Sequence, residues 1–115
     1  MNAEEMKRRT KQFAIEVGHF ILDLPTNDLN RNYSNQLIRC SSSVGANYRA
    51  VTRAKSKADF INKLKIVEEE LDESIFFLEL LFEFNIDKRA RIIKITQEGE
   101  EFLKIIVASI NTSRG

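Results

Sequence analysis

The sequence predicts an all-α fold, an up-down-up-down antiparallel four-helix bundle, on three observations. Apolar residues recur at spacings of three and four in four successive segments, the signature of helices with one buried face. Short turns join the segments, which favours antiparallel neighbours packed at about 20°. The chain has 115 residues, enough for a single domain with its own core, and contains no internal repeat or low-complexity tract.

The first helix is placed at residues 4–24, because Phe13, Val17, Phe20, Ile21 and Leu24 share one face. Pro25 removes a backbone donor and biases Leu24 away from helical angles, and Thr26, Asn27 and Asp28 supply turn chemistry. The second helix is placed at residues 33–54. Its tract Cys40-Ser41-Ser42-Ser43-Val44-Gly45-Ala46-Asn47 has the composition of a loop. Yet Leu37, Cys40, Val44, Asn47, Val51 and Ala54 keep the seam rhythm with no proline among them. The tract is therefore a helix with a thin side made of Ser42, Ser43, Gly45, Ala46 and Ala50. A partner backbone can lie close against such a side, at a cost in intrinsic propensity. Asn47, polar within the seam, reads as a buried register residue.

The third helix is placed at residues 57–84, with Ser56 as its N-cap and Asp59 at the positive end of the dipole. Phe60, Leu64, Val67, Leu71, Ser74, Ile75, Leu78 and Leu81 form its core stripe, and Asn85 is expected to close it in a left-handed conformation. The fourth helix is placed at residues 88–111 by Ile92, Ile95, Gly99, Phe102, Ile106 and Ser109, with Leu103 and Ile110 widening the stripe. Gly99 costs about 1 kcal/mol against alanine in a helix interior, so it marks either a close interhelix contact or a small kink.

Composition narrows function mainly by exclusion. Apolar residues make up 43% and charged residues 30%, an ordinary balance, and no apolar run approaches the ~20 residues of a membrane span. The opening MNAEEMKRRTKQF lacks the apolar centre of a secretory signal, so a cytoplasmic location is the default. The single cysteine, Cys40, cannot form an internal disulfide and reads as a small core residue. The net charge of +1 hides an asymmetry: residues 1–66 hold 12 basic and 6 acidic side chains, and residues 67–115 hold 6 and 11. The two halves attract each other.

No catalytic constellation stands out. His19 is the only histidine, and nothing marks Cys40, Ser41, Ser42 or Ser43 as its activated partner. One histidine cannot supply a ferritin-like di-metal site, and neither a zinc cluster nor a phosphate-binding glycine loop is present, so no metal, cofactor or small-molecule substrate is expected. The acidic run Glu68, Glu69, Glu70, Asp72 and Glu73 spreads around its helix and reads as a solvated or ion-paired face. Arg49, Arg53, Lys55, Lys57 and Lys63 form the best basic cluster, able either to track a phosphate backbone or to pair with the acidic helix. Phe76, Phe77, Leu80 and Phe84 lie off the core stripe of the third helix, which makes its C-terminal half apolar nearly all round. They are candidates for a homo-oligomer interface.

Three stretches carry a resemblance: RTKQFAIEVGHFILDLP, NQLIRCSSSVGANYRAVTRAKSKADFINKLKIVEEELDESIFFLELL and LKIIVASINTSR. Together they resemble the four-helix-bundle family named for proteins encoded in intervening sequences of bacterial 23S ribosomal RNA genes. The most specific part is the small-residue segment Ser43-Val44-Gly45-Ala46-Asn47, followed by a basic turn and an acidic stretch. Family members more often carry Ile-Ala-Glu-Gly where this chain has Tyr48-Arg49-Ala50-Val51, so roles tied to that glutamate do not carry over. The resemblance implies an up-and-down bundle assembled as a ring-like homopentamer, with no catalytic activity established. A distant cousin, the accessory variability protein of diversity-generating retroelements, is a basic pentamer that binds nucleic acid and a reverse transcriptase, whereas this chain is nearly neutral. The resulting expectation is a noncatalytic homo-oligomeric module that recruits a protein or RNA partner. The alternative is a nucleic-acid-binding accessory protein with its basic patch repeated around the oligomer.

Overall fold

A computed structural model describes residues 1–115. Asn2 opens α1 (Ala3–Leu22) by accepting the Glu5 amide on its side chain at 2.8 Å, with Glu4 and Glu5 at the positive end of the dipole. α1 stops short of the expected residue 24, the Asp23 and Leu24 amides bonding back to Phe20 and Ile21 ahead of Pro25. α2 (Asp28–Val51) starts earlier than the expected residue 33. Asn27, read as turn, is its N-cap and accepts the Asn30 amide at 2.8 Å. Beyond Val51 the Arg53 and Ala54 amides bond to Ala50 and Val51 in a tightened turn, so residues 52–54 fall outside the helix.

α3 (Lys57–Phe84) has the expected bounds, with Ser56 accepting the Asp59 amide at 3.0 Å. The Asp59 carboxylate accepts the Lys55 amide, also at 3.0 Å, in place of the reciprocal bond of a capping box. A 3-10 turn, Ile86–Lys88, leads into α4 (Arg89–Arg114), which runs beyond the expected residue 111. The four helices neighbour one another in the cyclic order α1, α2, α3, α4, with the backbones of diagonal helices farther apart. They form a rod of 45 × 20 × 19 Å. The 28 residues of α3 alone span about 42 Å at the helical rise, nearly its full length.

The serine-rich tract is helical throughout, with Cys40, Ser41 and Val44 completely buried. The Ser41 and Ser43 hydroxyls bond to carbonyls of the preceding turn, so they need no partner from another helix. Where α2 is thinnest it meets α1: a Cβ added at Gly45 would stand 3.3 Å from Thr10 Oγ1 and 3.4 Å from the Thr10 backbone. Thr10 fits this contact because its hydroxyl turns back to the Met6 carbonyl at 2.8 Å. Gly99 differs. A Cβ there would meet Phe13 at 3.5 Å and Ile75 at 3.6 Å, ordinary van der Waals distances, so the helices do not touch backbone to backbone at that point. On the α1–α4 side Phe13 instead sets its ring edge-on to Phe102, with centroids 5.8 Å apart.

Two expectations about asparagines are corrected. Asn47 is only half-buried and donates to the Ser43 carbonyl of its own helix at 2.8 Å, so it fixes no interhelix register. Asn85 has φ −134° and ψ 73°, outside the left-handed region, and closes α3 with its side chain instead, donating to the Leu81 carbonyl at 2.9 Å. A buried polar contact between helices is instead its pairing with Asn30 at the start of α2. The two amides exchange hydrogen bonds at 2.9 Å in each direction, and Asn30 also donates to the Pro25 carbonyl at 2.9 Å. One amide pair thus joins the α1–α2 turn, the start of α2 and the end of α3.

Asn30→Ala strands part of a buried amide network and should lower stability by about 2 to 3 kcal/mol, whereas Asn47→Ala should change it by less than about 0.5 kcal/mol. Urea unfolding at pH 7 reads both. Gly99→Ala should raise stability by up to about 1 kcal/mol because alanine fits the space, while Gly45→Leu should lower it by several times that amount by forcing α1 from α2.

Candidate functional site

Ion pairs cross three of the four seams between neighbouring helices. Arg9 of α1 bonds to Glu98 and, at 3.3 Å, to Glu101 of α4, its guanidinium 4.9 Å from the Phe102 ring centre. Arg91 of α4 reaches Asp23, the C-cap of α1, at 2.6 Å and holds that carboxyl below its usual range. Arg39 of α2 lies 2.5 Å from Glu73 and 3.6 Å from Glu70 of α3. Arg89 of α4 stands 3.6 Å from Glu83 of α3. Exposed pairs of this kind contribute little stability each, but they define which helix faces which.

The α1–α2 seam is crossed by none. Lys7, Arg8 and Lys11 of α1, Arg49 of α2 and Arg53 just past its end line a cleft of about 580 Å³ in which Glu4 is the one carboxylate and no apolar side chain takes part. Lys7 pairs with Glu4 at 3.2 Å, while Arg8, Lys11, Arg49 and Arg53 have no carboxylate within 4 Å. A second hollow, of about 320 Å³, continues from it along the helices and shares Lys7, Lys11, Arg49 and Arg53. Its floor is the thin side of α2, with Ser42, Gly45 and Ala46 opposite Thr10 and Ala14. The two hollows make one trough with like charge on both banks.

The basic cluster read from the sequence is therefore divided. Arg49 and Arg53 enter the trough. Lys63 does not, because it lies nearly two turns into α3 and pairs with Asp59 at 2.5 Å. Lys55 and Lys57 are exposed around the α2–α3 turn and line neither hollow. Lys7, Arg8 and Lys11 escaped the sequence reading. Their signal was the run Met6-Lys7-Arg8-Arg9-Thr10-Lys11, which an antiparallel hairpin of α1 and α2 brings beside the end of α2.

The apolar candidates cluster at the other end, on the α2–α3 edge. Phe77 and Leu80 are half-buried, whereas Phe76 and Phe84 are 54% and 56% exposed. Tyr33 of α2 lies 6.3 Å from Phe77 and 6.2 Å from Phe84 between ring centres, and Phe76 meets Phe77 edge-on at 5.3 Å. Tyr33 was not among the sequence candidates, because it opens the second helix as placed from the sequence and its ring partners lie more than 40 positions away on α3.

The one cysteine is shielded from solvent. Cys40 is fully buried beneath Ser74, whose hydroxyl donates to its sulfur at 3.4 Å, and burial pushes its thiol pKa up. His19 is exposed on α1. No group of three or more His, Cys, Asp and Glu side chains is arranged to hold a metal, and no helix is long and apolar enough to cross a membrane. Glu70 is the one strained charge. Its side chain is 17% exposed, its Oε2 receives no hydrogen bond, and burial, reinforced by Glu73, raises its pKa against the opposing pull of Arg39.

Comparison with known proteins places these features in a family. Residues 3–108 match the family model described as 23S rRNA-intervening sequence protein. Among solved structures the chain is similar to a protein of unknown function from the S23 ribosomal protein family of Bacteroides thetaiotaomicron, solved at 1.70 Å resolution. The two are 31% identical with a TM-score of 0.86, and the match covers 96% of this chain and 99% of that one. A search of curated proteins finds no match.

Because Glu70 binds its proton more readily folded than unfolded, the folded state gains relative to the unfolded state as pH falls through the raised pKa, and loses that gain as pH rises. Glu70→Gln should therefore raise stability at pH 7 by about 1 kcal/mol, with the gain shrinking towards pH 4, in paired urea titrations. A loss of stability at pH 7 would mean that attraction to Arg39 outweighs burial.

Proposed function

The chain belongs to the 23S rRNA-intervening sequence protein family, and from that premise we propose that it is a noncatalytic interaction module, cytoplasmic and homo-oligomeric, whose assembled surface recruits a partner. The observation that supports self-association is the aromatic edge of α2 and α3. Phe76 and Phe84 each expose more than half of their surface beside Tyr33 and Phe77. Full burial of a phenyl group is worth about 2 kcal/mol, so two rings left in water at one edge favour association strongly. Single apolar side chains such as Leu22 and Ile93 are exposed elsewhere, but at this edge exposed rings lie against one another, which makes it the apolar surface best placed to meet a second copy.

The ring-like homopentamer implied by the family resemblance is the assembly we propose. The burial of Cys40 and its raised pKa argue against thiol catalysis, which fits a binding role better than an enzymatic one. The alternative, a nucleic-acid accessory role through Arg49, Arg53, Lys55, Lys57 and Lys63 together, is weakened in that form because Asp59 already neutralises Lys63.

Sedimentation velocity at micromolar concentration should give a species of five times the chain's 13.3 kDa. Phe76→Asp combined with Phe84→Asp should release a helical 13.3 kDa species. A wild-type protein that sediments as a monomer throughout the concentration range rejects self-association, and a double variant that assembles normally rejects the aromatic edge as its cause.

A further inference from the structure

We propose that the trough between α1 and α2 binds the phosphate backbone of a nucleic acid without regard to base sequence. The cations come as two opposed rows. Lys7 and Lys11 are one helical turn apart on α1, a repeat of about 6 Å, and they face Arg49 in the last turn of α2 and Arg53 in the turn just past its end. Arg8 adds a fifth cation to the same cleft.

Every other seam of the bundle matches its arginine with a carboxylate, as Arg9, Arg39, Arg89 and Arg91 show. Here the fold instead sets cations against cations, a repulsion that a bound polyanion relieves.

The lining identifies the polyanion. A protein partner is gripped by buried aromatic or aliphatic anchors, and an anionic membrane by an apolar face pushed between its headgroups. The cleft offers neither, since no apolar side chain lines it and the adjoining floor is Ser42, Gly45, Ala46 and Ala14. Small residues admit a ribbon of charge close to the helix backbone, and the arginines present forks suited to phosphate oxygens. No aromatic ring lines the trough to stack on a base, so backbone contact without sequence preference is what this lining supports. The aromatic edge lies on the α2–α3 side, so this site stands or falls apart from self-association through that edge.

Fluorescence anisotropy with a fluorescein-labelled RNA hairpin, titrated over a range of sodium chloride concentrations, tests the proposal. Replacing Lys7, Lys11, Arg49 and Arg53 together by glutamine should weaken binding at least about tenfold near 0.1 M salt and flatten the log-affinity against log-salt slope by about 3. Lys94→Gln with Lys104→Gln, exposed positions on α4, should leave affinity and slope unchanged. Because the four substitutions remove mutual repulsion, the variant should unfold at equal or higher urea than the wild type at low salt. Arg53→Gln alone, beyond the end of α2 and exposed, provides a second reading with an expected loss of about threefold.

Unchanged affinity in the fourfold variant overturns the proposal, as does an equal loss in the α4 control. So does displacement of the RNA by polyglutamate of matched charge at equal potency, which would make the site a receptor for acidic protein. Binding of the wild type to phosphatidylserine vesicles as tight as to the hairpin would make it a membrane surface. A preference above about tenfold between hairpins of unrelated sequence would refute recognition of the backbone alone.

Discussion

The contact of Gly45 with the backbone of Thr10 is the constraint from which much of the remaining structure follows. It requires α2 to carry small residues through Ser42, Gly45 and Ala46, at a cost in helix propensity that only packing on the opposite face can offset. That face supplies Leu37, Cys40, Val44 and Val51, all buried. Bringing two helices so close also brings their flanking side chains together, and on this seam those are lysines and arginines. Tight packing and concentrated positive charge are therefore one feature seen at two distances from the bundle axis.

The opposite side of α2 shows the complementary arrangement. Arg39 lies over Glu70 and Glu73, Ser74 lies over Cys40, and the seam closes on polar groups that are almost all satisfied. Glu70 is the exception, pulled inward by its place in the helix, where Arg39 is too distant for a hydrogen bond and does not offset the cost of burial. Small residues on one bank and a charge clamp on the other let a single helix serve two neighbours of different character.

Helix identity was legible because the apolar rhythm of each segment is long, and even a loop-like composition could not disguise the spacing of Leu37, Cys40, Val44 and Val51. Helix ends were less legible. Asn27 and Asp28 carry the chemistry of a turn and of an N-cap alike, and only Asn30, Tyr33 and Ser34 continuing the stripe backward with polar or amphipathic residues would have told them apart. Asn47 drew attention by standing in the seam, yet the residue that crosses between helices is Asn30, whose partner is 55 positions away and invisible to any local pattern. The basic cluster failed for a related reason. Lys63 shares a stretch of sequence with Arg53 but not a surface, whereas Lys7 and Lys11 share a surface with Arg49 only after the hairpin forms.

The reciprocal amides of Asn30 and Asn85 sit at the end of the rod where α1 turns into α2 and α3 turns into α4. Both chain termini and the α2–α3 connection lie at the other end. Local opening at the first end must break a bond shared by two reversals at once, whereas the free ends at the second can fray singly. Backbone amides around residues 26–31 and 82–86 then exchange with solvent as one cooperative unit, and protection grades along the rod from loose termini to a latched pair of turns.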